Sequence, residues 1–289
     1  MQRQIDTEKP MILKYYSLFL ALFLSLAVSG QDNPNRWWNP AQHSFPVVNG
    51  KGWSGSGISS YHRLPSKAEP LVRDAVWNLS RNSAGLSIRF RSNSEMIRVR
   101  YQVEGPHAMP HMPATGVSGV DLYATDSHGE MQWCRGRYSF GDTITYSFED
   151  LNGKDSFHGG DRTWQLFLPL YNSVKWLEIG VPDSATLTAL PVRVEEPVVV
   201  YGTSIAQGGC ASRPGMAWPA ILERKLDRPV INLGFSGNGR LEKEVIQLIN
   251  DVEAKLIVLD CLPNMSPGRF EAEETYRRIV QSVLQIREK

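Results

Sequence analysis

The chain is poor in three features that usually announce chemistry or partners. Cysteine occurs three times, as Cys134, Cys210 and Cys261, and an odd, sparse set excludes a disulfide framework. Net charge is nearly absent, with 31 basic against 30 acidic residues. Residues 1–30 hold three basic and two acidic side chains, so the remainder balances at 28 against 28. Such neutrality gives no electrostatic footprint for nucleic acid or an anionic membrane surface. Histidine is confined to His43, His62, His107, His111, His128 and His158, and none follows. The apolar run at residues 15–28 is shorter than the roughly 20 residues of a spanning helix. With Lys14 before it and Val28-Ser-Gly30 after it, it has the layout of a secretory signal. Residues 1–30 are therefore expected to be a signal peptide, with Met11 a potential start, and the mature protein to be secreted or periplasmic. No stable membrane insertion is expected after cleavage; a retained anchor is the alternative.

The rest of the chain changes character near residue 194. Residues 31–194 read as a β-sandwich. Residues 86–90, 97–103 and 144–148 alternate apolar and polar side chains, the mark of strands with one buried face. Residues 174–181 nearly alternate, with a phase slip at Trp176-Leu177 that predicts a bulge. Turn residues between such runs predict an antiparallel sandwich. Its many tryptophans suit a sandwich core or a sugar-stacking platform. After Pro197 the pattern becomes strand 198–201, helix 218–226, strand 230–233, helix 241–250, strand 256–260 and helix 271–288. That order implies a parallel sheet.

Each of the three strands in residues 195–289 ends in a distinctive turn. The first carries Gly202-Thr-Ser204, the second Gly234-Phe-Ser-Gly237-Asn-Gly239, and the third Asp260-Cys-Leu-Pro-Asn264. Parallel strands present these turns on one edge, where open α/β sheets bind ligands. A hydroxyl nucleophile at Ser204, a bare backbone N–H at Gly237 and a neutral amide at Asn264 would suit acyl transfer. The glycine spacing is not that of a dinucleotide fingerprint, and no cofactor or metal is expected. Pro106 and Pro110 break any helix that would align His107 with His111.

These turns resemble those of the SGNH, or GDSL-like, hydrolase superfamily, with Gly-Thr-Ser for its usual Gly-Asp-Ser. Gly119-Val-Asp-Leu-Tyr123 is similar to the Gly-x-Asp-Leu-Tyr signature of an N-terminal β module in one subgroup of SGNH esterases. The resemblance implies a flavodoxin-like domain over residues 195–289. It also implies Ser204 as nucleophile and Gly237 N–H and Asn264 amide as oxyanion donors, with the serine's own N–H as a third. The implied substrate is a carboxyl ester, including acetyl groups on carbohydrates.

The superfamily's Asp-x-x-His segment near the C-terminus has no counterpart after Ser204, so the general base is unassigned. A C-terminally truncated, incomplete domain of three strands accounts for this and leaves the third strand as an open edge; such a chain would show little activity alone. Alternatively, His107 or His158 reaches Ser204. A rival from another class is a non-catalytic carbohydrate-binding protein with a vestigial hydrolase domain. A structural surface protein is the third alternative. Cys210 and Cys261 read as small buried side chains.

Overall fold

Alternating side chains need one dry face, and two antiparallel sheets supply it around a shared core. The computed structural model describes residues 34, 36–53, 60–126, 128–151 and 161–288. The expected signal segment and His158 lie outside them. In chain order the first strands are β1 (Arg36–Trp38), β2 (Val48–Asn49), β3 (Ser87–Ser92), β4 (Ile97–Val103), β5 (Asp121–Thr125) and β6 (Met131–Cys134). They are followed by β7 (Gly136–Ser139), β8 (Ile144–Phe148), β9 (Arg162–Phe167), β10 (Val174–Val181) and β11 (Thr188–Ala189). One sheet runs β1-β10-β4-β8-β7 and the other β11-β3-β9-β5-β6, with β2 beside β3. Phe90, Leu122, Trp164 and Leu166 of the second sheet and Val99, Tyr101, Ile144 and Leu177 of the first share one core. The register of β10 against β4 slips between Val174 and Trp176, just before the expected bulge at Trp176-Leu177.

Two short helices, α1 (Asp74–Ser80) and α2 (Ala114–Val117), interrupt the strands. Beyond β11 come β12 (Val198–Gly202), α3 (Ser204–Gln207), α4 (Trp218–Leu226), β13 (Val230–Gly234), α5 (Lys243–Asn250), β14 (Leu256–Asp260) and α6 (Ala272–Arg287). The three strands form a parallel sheet in the order β13-β12-β14. Strand β12 is buried along its whole length, which is why it reads as a continuous apolar run. Val198 and Val200 pack with Trp218 and Leu222 of α4 on one face. Val199 and Tyr201 pack with Val245, Ile246 and Ile249 of α5 on the other. Leu64, Ala68, Val72 and Val76 join that second face, so residues ahead of β3 help cover the parallel sheet.

The expected helix at 241–250 begins at Lys243, because Leu241 adopts a left-handed φ of 54° that an α-helix excludes. Strand β14 pairs with β12 alone among the described strands, and its Leu256 is 54% exposed. Among the described residues no helix is long and apolar enough to cross a membrane.

Candidate active site

Parallel register brings the three strand-end turns to one level. Gly202 lies opposite Gly234 on one side and Asp260 on the other. The chain passes from β12 to β13 on one flank and returns to β14 on the other, with α4 and α5 on opposite faces. The ends of β12 and β14 thus flank a topological switch point. Ser204 starts α3 there. The Thr203 hydroxyl accepts from Ile205 N at 3.3 Å and caps the helix.

Missing side chains allow the turns to approach closely. A Cβ on Gly234 would lie 2.1 Å from Gln207 N, and one on Gly239 would lie 2.0 Å from Gly202 O. Phe235 N donates to Gly202 O at 2.9 Å. Asn232 ties β13 to α3 through its amide, which donates to Ala206 O at 2.8 Å. The second turn is thereby packed against the first.

Ser204 is half-buried, and among the described residues nothing hydrogen-bonds its hydroxyl. Its carbonyl is well held, by Gly209 N at 2.7 Å, Gly208 N at 3.0 Å and the Tyr171 hydroxyl at 3.1 Å. The N–H groups of Ser204 and Gly237 donate to none of the described residues. Gly237 has φ 68°, and a Cβ there would meet nothing within 4 Å, so the outer side of this turn is open. Asn264 is buried, and its Nδ2 donates to Gly239 O at 3.2 Å and Phe235 O at 3.5 Å. The third turn is therefore tied to the second through the very amide expected to serve as a donor. The longer contact is at the limit of a hydrogen bond, leaving one N–H weakly engaged.

No described histidine bonds to Ser204 Oγ. The His107 ring instead lies 5.6 Å from that of Phe140. Cys261 is buried, as expected, and burial pushes its thiol up to about 12, so it offers no thiolate. Cys210 departs from expectation: it is exposed, in a turn just after α3 where its φ is 64°. Two cavities of about 530 and 920 Å³ lie elsewhere, one around Trp53 and Pro197 and one between α5 and α6.

Several residues of the surroundings carry no sequence signal. Tyr171 comes from the β9–β10 connection. Gln207 Nε2 donates to Leu170 O and Asn82 Oδ1 at 3.1 Å, while its Oε1 accepts from Ser236 N at 2.9 Å. The Gly-Val-Asp-Leu-Tyr motif gains a physical meaning. A Cβ on Gly119 would lie 2.3 Å from Thr115 O, and Leu122 is core. Asp121 accepts from Gly215 N at 3.0 Å and Trp133 Nε1 at 2.6 Å, and pairs with Arg213 at 3.2 Å. Burial, partly offset by Arg213, raises its carboxyl to about 6. Tyr123 carries the Arg224 guanidinium 4.2 Å above its ring. The motif thus fastens the second antiparallel sheet to the loop and helix that follow α3.

A parallel sheet covered by helices, a serine on its first strand-end turn and antiparallel sheets docked beside it make an arrangement shared with esterases and acylhydrolases. The chain belongs to the GDSL-like lipase/acylhydrolase family. The profile of that family matches residues 195–289, and that of the GxDLY N-terminus of SGNH-hydrolase-type esterases matches residues 35–187. One similar structure is described as that of a GDSL-like lipase from Bacteroides ovatus ATCC 8483. It is 34% identical, with 88% of this chain and 71% of that chain covered and a TM-score of 0.76. A second is the salicylyl-acyltransferase SsfX3 from a tetracycline biosynthetic pathway, at 22% identity, 88% and 69% coverage and a TM-score of 0.65. No curated protein matches the chain.

Proposed function

We propose that this chain carries the acyl-transfer site of an SGNH-type serine esterase, in which Ser204 attacks a carboxyl ester and forms an acyl-enzyme. The N–H groups of Gly237 and Ser204 and the amide of Asn264 stabilise the tetrahedral oxyanion. The observation that carries the reading is a Ser204 hydroxyl with no hydrogen-bond partner among the described residues, on a strand-end turn next to that of Gly237, while the N–H groups of Ser204 and Gly237 donate to none of the described residues. Oriented dipoles of this kind lower the barrier where negative charge develops. A serine hydroxyl attacks slowly without a general base, and no described residue hydrogen-bonds Ser204 Oγ, so added imidazole should accelerate acylation.

In the same reading residues 31–194 are a β-sandwich module and residues 195–289 a flavodoxin-like hydrolase domain. Residues 1–30 export the protein to the periplasm or exterior. The substrate is an ester on a carbohydrate, with acetyl the first candidate. Exposed Trp133 and Tyr138, 46% and 55% accessible, support sugar stacking. A second reading, a carbohydrate-binding protein with a vestigial site, is favoured by the engagement of Asn264 Nδ2 with loop carbonyls.

The deciding experiment follows acetylation of Ser204 by p-nitrophenyl acetate, using intact mass, with and without imidazole. Acetylation that is lost in Ser204→Ala supports the esterase. Equal p-nitrophenol release from both proteins, with no acyl adduct, refutes it. Glycan binding retained by Ser204→Ala would then favour the second reading.

A further inference from the structure

We infer that Arg73 is a positioning residue for the Gly237 amide, acting through the side chain of Asn238. The inference rests on the esterase reading of Ser204 and Gly237. Its starting point is the planar trans peptide between Ser236 and Gly237, whose C=O and N–H point in opposite directions. Ser236 O accepts from Asn238 Nδ2 at 2.9 Å. Holding that oxygen turns the Gly237 N–H to the opposite side. A hydrogen bond at the carbonyl also polarises the peptide and strengthens its N–H as a donor.

An asparagine side chain alone would not hold this orientation, because its amide can rotate away. Arg73 removes that freedom. Its Nη1 donates to Asn238 Oδ1 at 2.9 Å and its Nη2 to Asn238 O at 3.1 Å. Its Nε donates to Glu242 Oε1 at 3.0 Å, and Nη2 reaches the same oxygen. Glu242 is itself fixed, by the Tyr201 hydroxyl and by Arg240 N at 3.1 Å. The result is a continuous chain from Tyr201 through Glu242, Arg73 and Asn238 to the Ser236–Gly237 peptide. On the other side of Gly237, Arg240 Nε and Nη2 hold its carbonyl at 3.0 and 2.9 Å.

Arg73 stands 165 residues before Asn238, at the start of α1, within the stretch matched by the GxDLY profile. An ion pair with Glu242 alone would hold the Arg73 side chain without directing Asn238. A planar fork that spans three acceptors is a different arrangement, and a lysine cannot reproduce it. The N-terminal part of the chain therefore sets the direction of a donor in the other part.

The test compares wild type, Arg73→Ala, Arg73→Lys and Asn238→Ala. It records Ser204 acylation by p-nitrophenyl acetate, the thermal midpoint and the Gly237 amide resonance. All three variants should acylate about tenfold more slowly at saturating ester, a loss of transition-state stabilisation that leaves half-saturation within about twofold. Each should shift the Gly237 resonance, and Arg73→Lys should do so while keeping a wild-type melting temperature. Wild-type rate and resonance in folded Arg73→Ala, or full restoration of both by Arg73→Lys, would overturn the inference. If wild-type Ser204 is not acylated, the esterase reading fails, and the Gly237 resonance alone decides: a shift in the variants supports the positioning role and no shift overturns it.

Discussion

Arg63 donates from Nη1 to the carbonyl oxygen of Gly234 at 2.7 Å, where β13 turns into the glycine loop. The same nitrogen reaches Asn232 O at 3.1 Å, while Nε and Nη2 reach Asn82 O at 2.9 Å and Leu79 O at 2.6 Å. The guanidinium is 4.9 Å from the centre of the Phe235 ring, and the residue is 1% exposed. Four backbone carbonyls from two distant stretches thus converge on one buried cation. Arg63→Met would take this donor from all four, and of them Leu79 O keeps Asn82 N at 3.1 Å. It should cost at least about 3 kcal/mol, since each unsatisfied buried acceptor is expensive. Urea unfolding of the variant beside wild type measures this.

The Asp121 carboxylate closes the contact between β5 and the loop before α4. Asp121→Ala leaves the N–H groups of Gly215 and Trp133 without their acceptor and should destabilise by about 2–3 kcal/mol. Gly215→Ala should be at least as harmful, because its Cβ would lie 2.4 Å from the Tyr123 ring. Denaturant midpoints of both variants check the expectation.

Glu223 is a pH-dependent feature of the same contact. Burial raises its carboxyl to about 7, against the favourable hydrogen bond from Gln165 and the charges of Arg193, Arg224 and Arg89. A carboxyl whose pKa is raised by folding holds its proton in the native state after the unfolded chain has released it. Its stabilising contribution is therefore complete below about pH 4.5 and is lost as pH rises through about 7. The loss amounts to roughly 3 kcal/mol. Glu223→Gln should flatten the fall in melting temperature between those pH values; an unchanged slope would contradict the assignment.

Asn264→Ala removes both the tie to Gly239 O and the proposed oxyanion amide. Acylation of Ser204 should fall by about 10²-fold, while stability falls by about 1 kcal/mol. A burst assay and a thermal melt separate the two effects.

Strand β14 offers one unpaired edge among the described strands, with Leu256 exposed on it. Leu256→Lys should reduce self-association in light scattering, since a charge on an edge opposes further strand pairing.

Much of this architecture is local and could be read directly. The alternation at 97–103 and 144–148 marks β4 and β8, and the helix at 218–226 follows from its spacing and from Pro219 in its first turn. Other elements leave no such trace. β5 is buried at four consecutive positions, so it has no alternation to read. Cys210 is exposed in a turn whose left-handed φ of 64° has no marker in the residue type.

The chain's own pattern determined the strand ends, the bare glycines and the chemical groups at Ser204, Gly237 and Asn264, because short-range periodicity and turn chemistry act between near neighbours. Tertiary structure alone decided that β12 lies between β13 and β14. It also brought Arg63 and Arg73 under the glycine loop and turned the Asn264 amide toward loop carbonyls. Those outcomes depend on buried hydrogen bonds between groups far apart in the chain, and side-chain spacing along one stretch does not encode them.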